Sequence, residues 1–149
     1  MSIKILYGGR IRPSYDTPGI DEYETNDVWE QGQVLTVSSG KLQKATNATT
    51  GIRGLALEYR RSATEDPTKF GMQKGKGSIL RDEALVELSG DALLSGITFA
   101  EGNSLYVAST AGRITNTGTA GREIGIVDKV SADGLTVTAM FQVSYMKLA

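Results

Sequence analysis

The sequence predicts an all-β fold: a small barrel or sandwich, tulip-like, built from two similar β units and preceded by an extended N-terminal arm. Three observations predict it. Eighteen glycines in 149 residues punctuate short apolar alternations and polar turns, which is how strands read. A helical period is weak everywhere along the chain. The segment at residues 29–37 recurs at 99–107, the signature of one supersecondary unit used twice.

Residues 1–28 form the arm. They hold two of the three prolines, Pro13 and Pro18, together with Tyr7, Tyr15 and Tyr23, and have no periodicity beyond a strand at Ile3 to Tyr7. Such a segment gains free energy in one of two ways. It pairs with a sheet edge of another protein by strand addition, or it wraps its own domain and belongs to the fold. Tyr and Arg are residue types that dominate interface hot spots.

Residues 29–149 form a single β domain, a length that can bury a core unaided. The first unit opens on Trp29-Glu30-Gln31-Gly32-Gln33-Val34-Leu35-Thr36-Val37 and the second on Phe99-Ala100-Glu101-Gly102-Asn103-Ser104-Leu105-Tyr106-Val107. The aromatic, the Gly, the Leu and the Val coincide at one offset. Each copy then meets Gly, a base and an aliphatic, as Gly40-Lys41-Leu42 and Gly112-Arg113-Ile114. Each passes through a Thr/Asn-rich loop, residues 46–51 and 115–121, and closes on an apolar strand, Gly54-Leu55-Ala56-Leu57 and Gly125-Ile126-Val127. The unit is a strand opened by an aromatic and a Gly turn, a tight return, and a third strand across. Two such units cover each other's edges, and the alignment makes Trp29 and Phe99 matching core aromatics.

Between the units, residues 60–77 read as a mobile loop insert, polar and containing Pro67, Gly71, Gly75 and Gly77. After it Ala84, Val86 and Leu88 alternate as in a strand, with a short helical turn around Asp91 to Leu94. The chain closes on a hairpin. Ile124, Ile126 and Val130 are expected on one face of its first strand. The turn is Ser131-Ala132-Asp133-Gly134, whose Asp-Gly readily supplies positive φ. Leu135, Val137, Ala139, Phe141, Val143 and Tyr145 then face inward, against Thr136, Thr138, Gln142 and Ser144 outward.

Composition narrows the chemistry. Cys and His are both absent, which removes thiolate nucleophiles, disulfides, the commonest zinc ligands and the commonest general base. The chain is therefore expected not to be an enzyme, with no catalytic residues, metal or cofactor. Sixteen basic and seventeen acidic residues leave a net charge of −1, giving no global pull toward nucleic acid or membrane. The N-terminal apolar run is too short for a signal peptide and no span approaches twenty apolar residues. The expectation is a soluble chain made in the cytoplasm, where the sequon Asn47-Ala48-Thr49 has no role.

Three local motifs point to bland roles. Gly71-Met72-Gln73-Lys74-Gly75-Lys76-Gly77-Ser78 lacks the spacing of a phosphate-binding loop. The basic residues Arg53, Arg60, Arg61, Lys69, Lys74, Lys76 and Arg81 are interleaved with Glu58, Glu65, Asp66, Asp82 and Glu83, as on a solvated mixed surface. Asp16, Asp21, Glu22, Glu24 and Asp27 lack the spacing of a calcium loop. A ligand-binding or carbohydrate-binding module is the alternative reading, with Trp29, Tyr106 and Tyr145 as stacking faces.

The run Gly102-Asn103-Ser104-Leu105-Tyr106-Val107, then Ala111-Gly112-Arg113-Ile114-Thr115, then Arg122-Glu123-Ile124-Gly125-Ile126-Val127 and Asp133-Gly134-Leu135-Thr136-Val137-Thr138, resembles the head decoration proteins of tailed bacteriophages, of the lambda capsid-stabilising type. The resemblance covers about residues 29–58 and 83–145 in pattern. It implies a non-catalytic virion protein that assembles as a homotrimer on the outer capsid surface and clamps neighbouring major capsid protein subunits against internal pressure. It implies no direct contact with nucleic acid or membrane. The N-terminal arm would reach the shell, with Ile3, Ile5, Tyr7, Arg10, Arg12 and Tyr15 as its capsid-binding residues. The insert at 60–77 departs from the short members of that family. A head-tail or tail component would share the same structural class.

Overall fold

A computed structural model describes residues 3–13, 24–25, 27–49, 51–57, 59–60 and 78–143. Its strands are β1 (Ile3–Pro13), β2 (Glu24–Thr25), β3 (Val34–Ser38), β4 (Lys41–Lys44), β5 (Ile52–Ala56), β6 (Ser78–Ser89), β7 (Ser104–Val107), β8 (Ile114–Thr115), β9 (Gly125–Val130) and β10 (Thr136–Val143). Among the described residues a 3-10 turn at Gly90–Ala92 interrupts the strand content, close to the expected helical turn. A curled half-barrel sheet and a second sheet make up this all-β architecture.

The strand order is β2-β4-β3-β5-β6-β10-β9-β7-β8, with β1 paired to β6. Counted outward from the joint between β6 and β10, the order β6-β5-β3-β4 on one side matches β10-β9-β7-β8 on the other. The repeat in the sequence is therefore a repeat in space.

The correspondence extends to single hydrogen bonds. Val37 pairs with Leu42 in the first unit, and Val107 with Ile114 in the second. Leu35 faces Gly54 as Leu105 faces Gly125. The Gly32 amide donates to the Ala56 carbonyl at 2.7 Å, and the Gly102 amide to Val127 at 2.9 Å. Even the turn side chains match: the Gln33 amide oxygen accepts from the Glu30 N–H at 3.0 Å, and that of Asn103 from Ala100 at 2.9 Å. Gly32 and Gly102 stand at φ of 84° and 81°, a left-handed conformation costly for side-chain-bearing residues. This turn aims each following strand, which explains why Gly recurs there.

One core serves both units. Val34 and Leu55 of the first unit, Leu105, Ile114 and Val127 of the second, and Val86, Val137 and Phe141 at the joint belong to the same buried cluster. A smaller cluster holds Trp29, Leu35, Leu42, Ala56 and Ile79. Trp29 and Phe99 are both buried, as the alignment requires, but in different clusters.

The C-terminal hairpin forms as expected, with Gly134 at φ 75° and the Ser131 amide donating to Thr136 at 2.9 Å. Two facing assignments are corrected. Ile126 points to solvent while Val127 is buried. Ile124 precedes β9, and the register of β9 against β10 shifts between Thr138 and Ala139, where Lys129 and Val127 are successive partners, so Ile126 and Val130 are out of phase. Asp128 is thus the extra residue of a β-bulge, which resets the alternation. Leu135 is exposed rather than inward, since it lies in the turn before β10 begins.

Candidate interaction surface

β6 pairs with β1, β5 and β10. Its inward residues Ala84, Val86 and Leu88 are buried, as their alternation predicts. Its outward residues lie on the face that β6 shares with β1, β10 and β9.

The first half of the expected arm lies on this sheet. Ile3 pairs with Leu88 and Tyr7 with Leu85, and the pairing continues to Pro13 opposite Ser78. Two register shifts, between Ile5 and Tyr7 and between Gly8 and Arg10, interrupt the ladder. The shell-contact candidates are therefore placed differently from one another. Ile3 is buried in the main core, so with β1 in this position it offers no surface to a partner. Ile5 and Tyr7 are exposed, Tyr7 at 72%. Arg10 and Arg12 have backbone positions in β1, but their side chains lie outside the described residues, as does Tyr15 entirely.

Directly opposed residues of antiparallel strands share a face. Tyr7 opposes Leu85, Leu85 opposes Met140, and Met140 opposes Ile126. These four make a row across β1, β6, β10 and β9. Tyr7, Met140 and Ile126 are exposed, Met140 at 40% and Ile126 at 56%, while Leu85 is half-buried. Strict alternation puts Ile126 in the core, so this row has no mark in the sequence.

At the β9 end the row runs into a cleft of about 190 Å³ bordered by Glu83, Glu123, Ile126, Met140 and Gln142. The Gln142 side-chain amide donates to the Glu83 carboxylate at 2.9 Å. The Glu123 carboxylate accepts from the Gly121 N–H at 3.0 Å and from the Tyr106 hydroxyl at 3.4 Å. Its own backbone N–H, then that of Gly121, holds the Glu123 carboxyl below the usual carboxylate range.

Among solved structures, a chain from "The capsid of Myoviridae Phage XM1" has this fold. The superposition has a TM-score of 0.57 at 12% identity and covers 96% of this chain and 89% of that chain. No family model and no curated protein matches the sequence.

The remaining sequence candidates take other positions. Trp29 is buried, with the Arg60 guanidinium 5.9 Å from its ring centroid. Tyr106 is half-buried, and a side chain added at Gly118 would lie 2.3 Å from its ring. The Gly118 backbone therefore covers that ring, and Tyr145 lies outside the described residues. Arg122, which follows the second Thr/Asn-rich loop, ties that end of it to the first by donating to the carbonyls of Asn47 at 2.9 Å and Thr49 at 2.6 Å. A cleft of about 230 Å³ lined by Thr115, Thr117, Thr119, Ser109 and Tyr106 opens beside them.

Of the acidic stretch, Asp27 accepts from the amides of Val28 at 2.8 Å and Lys44 at 3.0 Å, which turns the chain into the first unit. No group of three or more Asp or Glu is placed to hold a metal among the described residues. Arg60, first residue of the expected insert, is buried, and its backbone exchanges two 2.8 Å bonds with Trp29. Residues 61–77, with the Gly-Lys-rich run, lie outside the described residues.

Proposed function

We propose that this chain is a structural protein of a phage virion that binds the outside of the head and stabilises it by bridging major capsid subunits, without catalysing a reaction. The observation that carries this reading is the fold shared with the phage XM1 capsid chain over nearly the whole length of both. The absence of His and Cys from the sequence supports a binding role over a catalytic one. An exposed apolar row on a rigid sheet is the kind of surface that marks protein contact. Many identical weak contacts across a shell add to a strong resistance to opening, and a homotrimer would give each copy several subunits to hold.

The test is direct. Density-gradient-purified virions of the phage carrying this sequence should contain the chain at a fixed ratio to the major capsid subunit. Antibody against it should label intact heads in electron microscopy. Absence from purified virions would overturn the reading, and label confined to tails would assign the chain to the tail instead.

A further inference from the structure

We propose that the outer face of β1, β6, β10 and β9 docks a protein partner that presents an arginine or lysine beside an apolar side chain. The cationic head sits between Glu83 and Glu123, and its aliphatic stem lies on Ile126 and Met140. This deepens the reading that the chain binds protein, and names what the partner must carry.

The apolar part rests on register. Tyr7, Leu85, Met140 and Ile126 are successive cross-strand partners, and three interstrand spacings of about 4.8 Å give a row roughly 14 Å long. Exposed apolar side chains scattered singly need no explanation, whereas contiguous ones mark contact surfaces. The row also has polar borders. Lys4, Glu87, Thr138 and Lys129 oppose one another on one side of it, and Glu83 opposes Gln142 on the other.

The charged part rests on the cleft where the row ends. Its floor is fixed by Gly125, where a Cβ would lie 2.6 Å from the Met140 carbonyl and 3.2 Å from the Phe141 ring. The backbones of β9 and β10 approach closely there. Two carboxylates border one apolar floor. Hydrogen bonds orient both: Gln142 donates to Glu83, and Gly121 to Glu123.

Charge complementarity selects the occupant. Covering these carboxylates with a purely apolar surface would strip their water without compensation. At the cleft itself an anionic lipid or a nucleic-acid phosphate would meet the like charge of Glu83 and Glu123. A lysine or arginine satisfies both demands, since its stem is apolar and its head makes charge-assisted hydrogen bonds to carboxylates.

The test uses the full chain with labelled Met and Ile methyl groups, titrated by NMR with acetyl-Leu-Arg-Leu-amide and with the Gln analogue. The Met140 and Ile126 methyls should shift saturably with the Arg peptide, and at least ten-fold more weakly with the Gln peptide. Glu83→Lys should abolish the response while leaving the remaining spectrum in place. Equal response to both peptides, or saturation unchanged in Glu83→Lys, would overturn the inference. Shifts of the same methyls on dilution without peptide would assign the face to a second copy and overturn it too. The virion experiment separates the two readings. Glu83→Lys bound to heads at full occupancy would sink this surface and leave the virion role standing. Selective Arg binding by a chain absent from virions would do the reverse.

Discussion

Leu105→Ala tests whether the two β units are one cooperative structure. Leu105 is fully buried at 0% exposure and belongs to the cluster that draws on both units. Truncation removes three carbons, worth about 2.4 kcal/mol at ~0.8 kcal/mol per buried carbon. The void left in a close-packed core raises the cost to roughly 3–4 kcal/mol. For a chain of this length each kcal/mol lowers Tm by about 2–4 °C, so the midpoint should fall by roughly 6–16 °C. The reporter is Trp29, the single tryptophan of the chain. It lies in the other unit and in the smaller cluster. Thermal unfolding should be followed by Trp29 fluorescence and by far-UV circular dichroism on the same sample. A shared core requires both signals to shift together in one transition. If the Trp29 transition stayed at its wild-type midpoint while the dichroism split into two, the units would be independent and the reasoning from one core would fail.

Gly125→Ala should cost about 1–3 kcal/mol by overpacking, because the new Cβ meets the Met140 backbone carbonyl at 2.6 Å. Gly51→Ala, with nothing within 4 Å, should stay within about 0.5 kcal/mol of wild type, and denaturant midpoints compare the two. Arg60→Ala removes the guanidinium bond to the Asp27 carbonyl and the contact over Trp29. It should cost about 1.5–3 kcal/mol and red-shift the Trp29 emission; an unmoved emission maximum would contradict the packing. The Asp133 carboxyl is held below its ordinary range by the Ser131 hydroxyl and then the Leu135 N–H. A depressed folded value contributes stability above the ordinary carboxylate pKa, and loses it as pH falls through the folded value. The Tm gap between wild type and Asp133→Asn should therefore be present at neutral pH and close in acid. A gap that persists unchanged in acid would assign the effect to something other than this carboxylate.

Much of the architecture was legible because it is local or repeated. The Gly32 and Gly102 turns, the strands that follow them and the closing hairpin each declare themselves within a short window, and the second copy corroborates the first. The facing of Ile126 was not legible. Alternation assumes an unbroken period of two, and the bulge at Asp128 shifts the phase with no mark in composition. The pairing of β1 with β6 joins Ile3 to Leu88, and no local pattern names a partner so distant. The cleft was hidden for the same reason. Glu83 and Glu123 belong to different segments, and only the pairing of β6 with β10 and of β10 with β9 brings them to one groove.

The position of β6 has a consequence for how the molecule is made. It takes as neighbours both the first strand of the chain and β10, the final strand of the sheet. Ile3 cannot meet Leu88 until the intervening residues have been synthesised, roughly 4–17 s at about 5–20 residues per second. The β6–β10 joint closes later still. Through that interval Ile3-Lys4-Ile5-Leu6-Tyr7 is a β-prone segment without its strand partner, and pairings this remote in sequence form slowly. That segment can pair with other chains for as long as β6 is unmade, a hazard that the stability of the finished sheet does not remove.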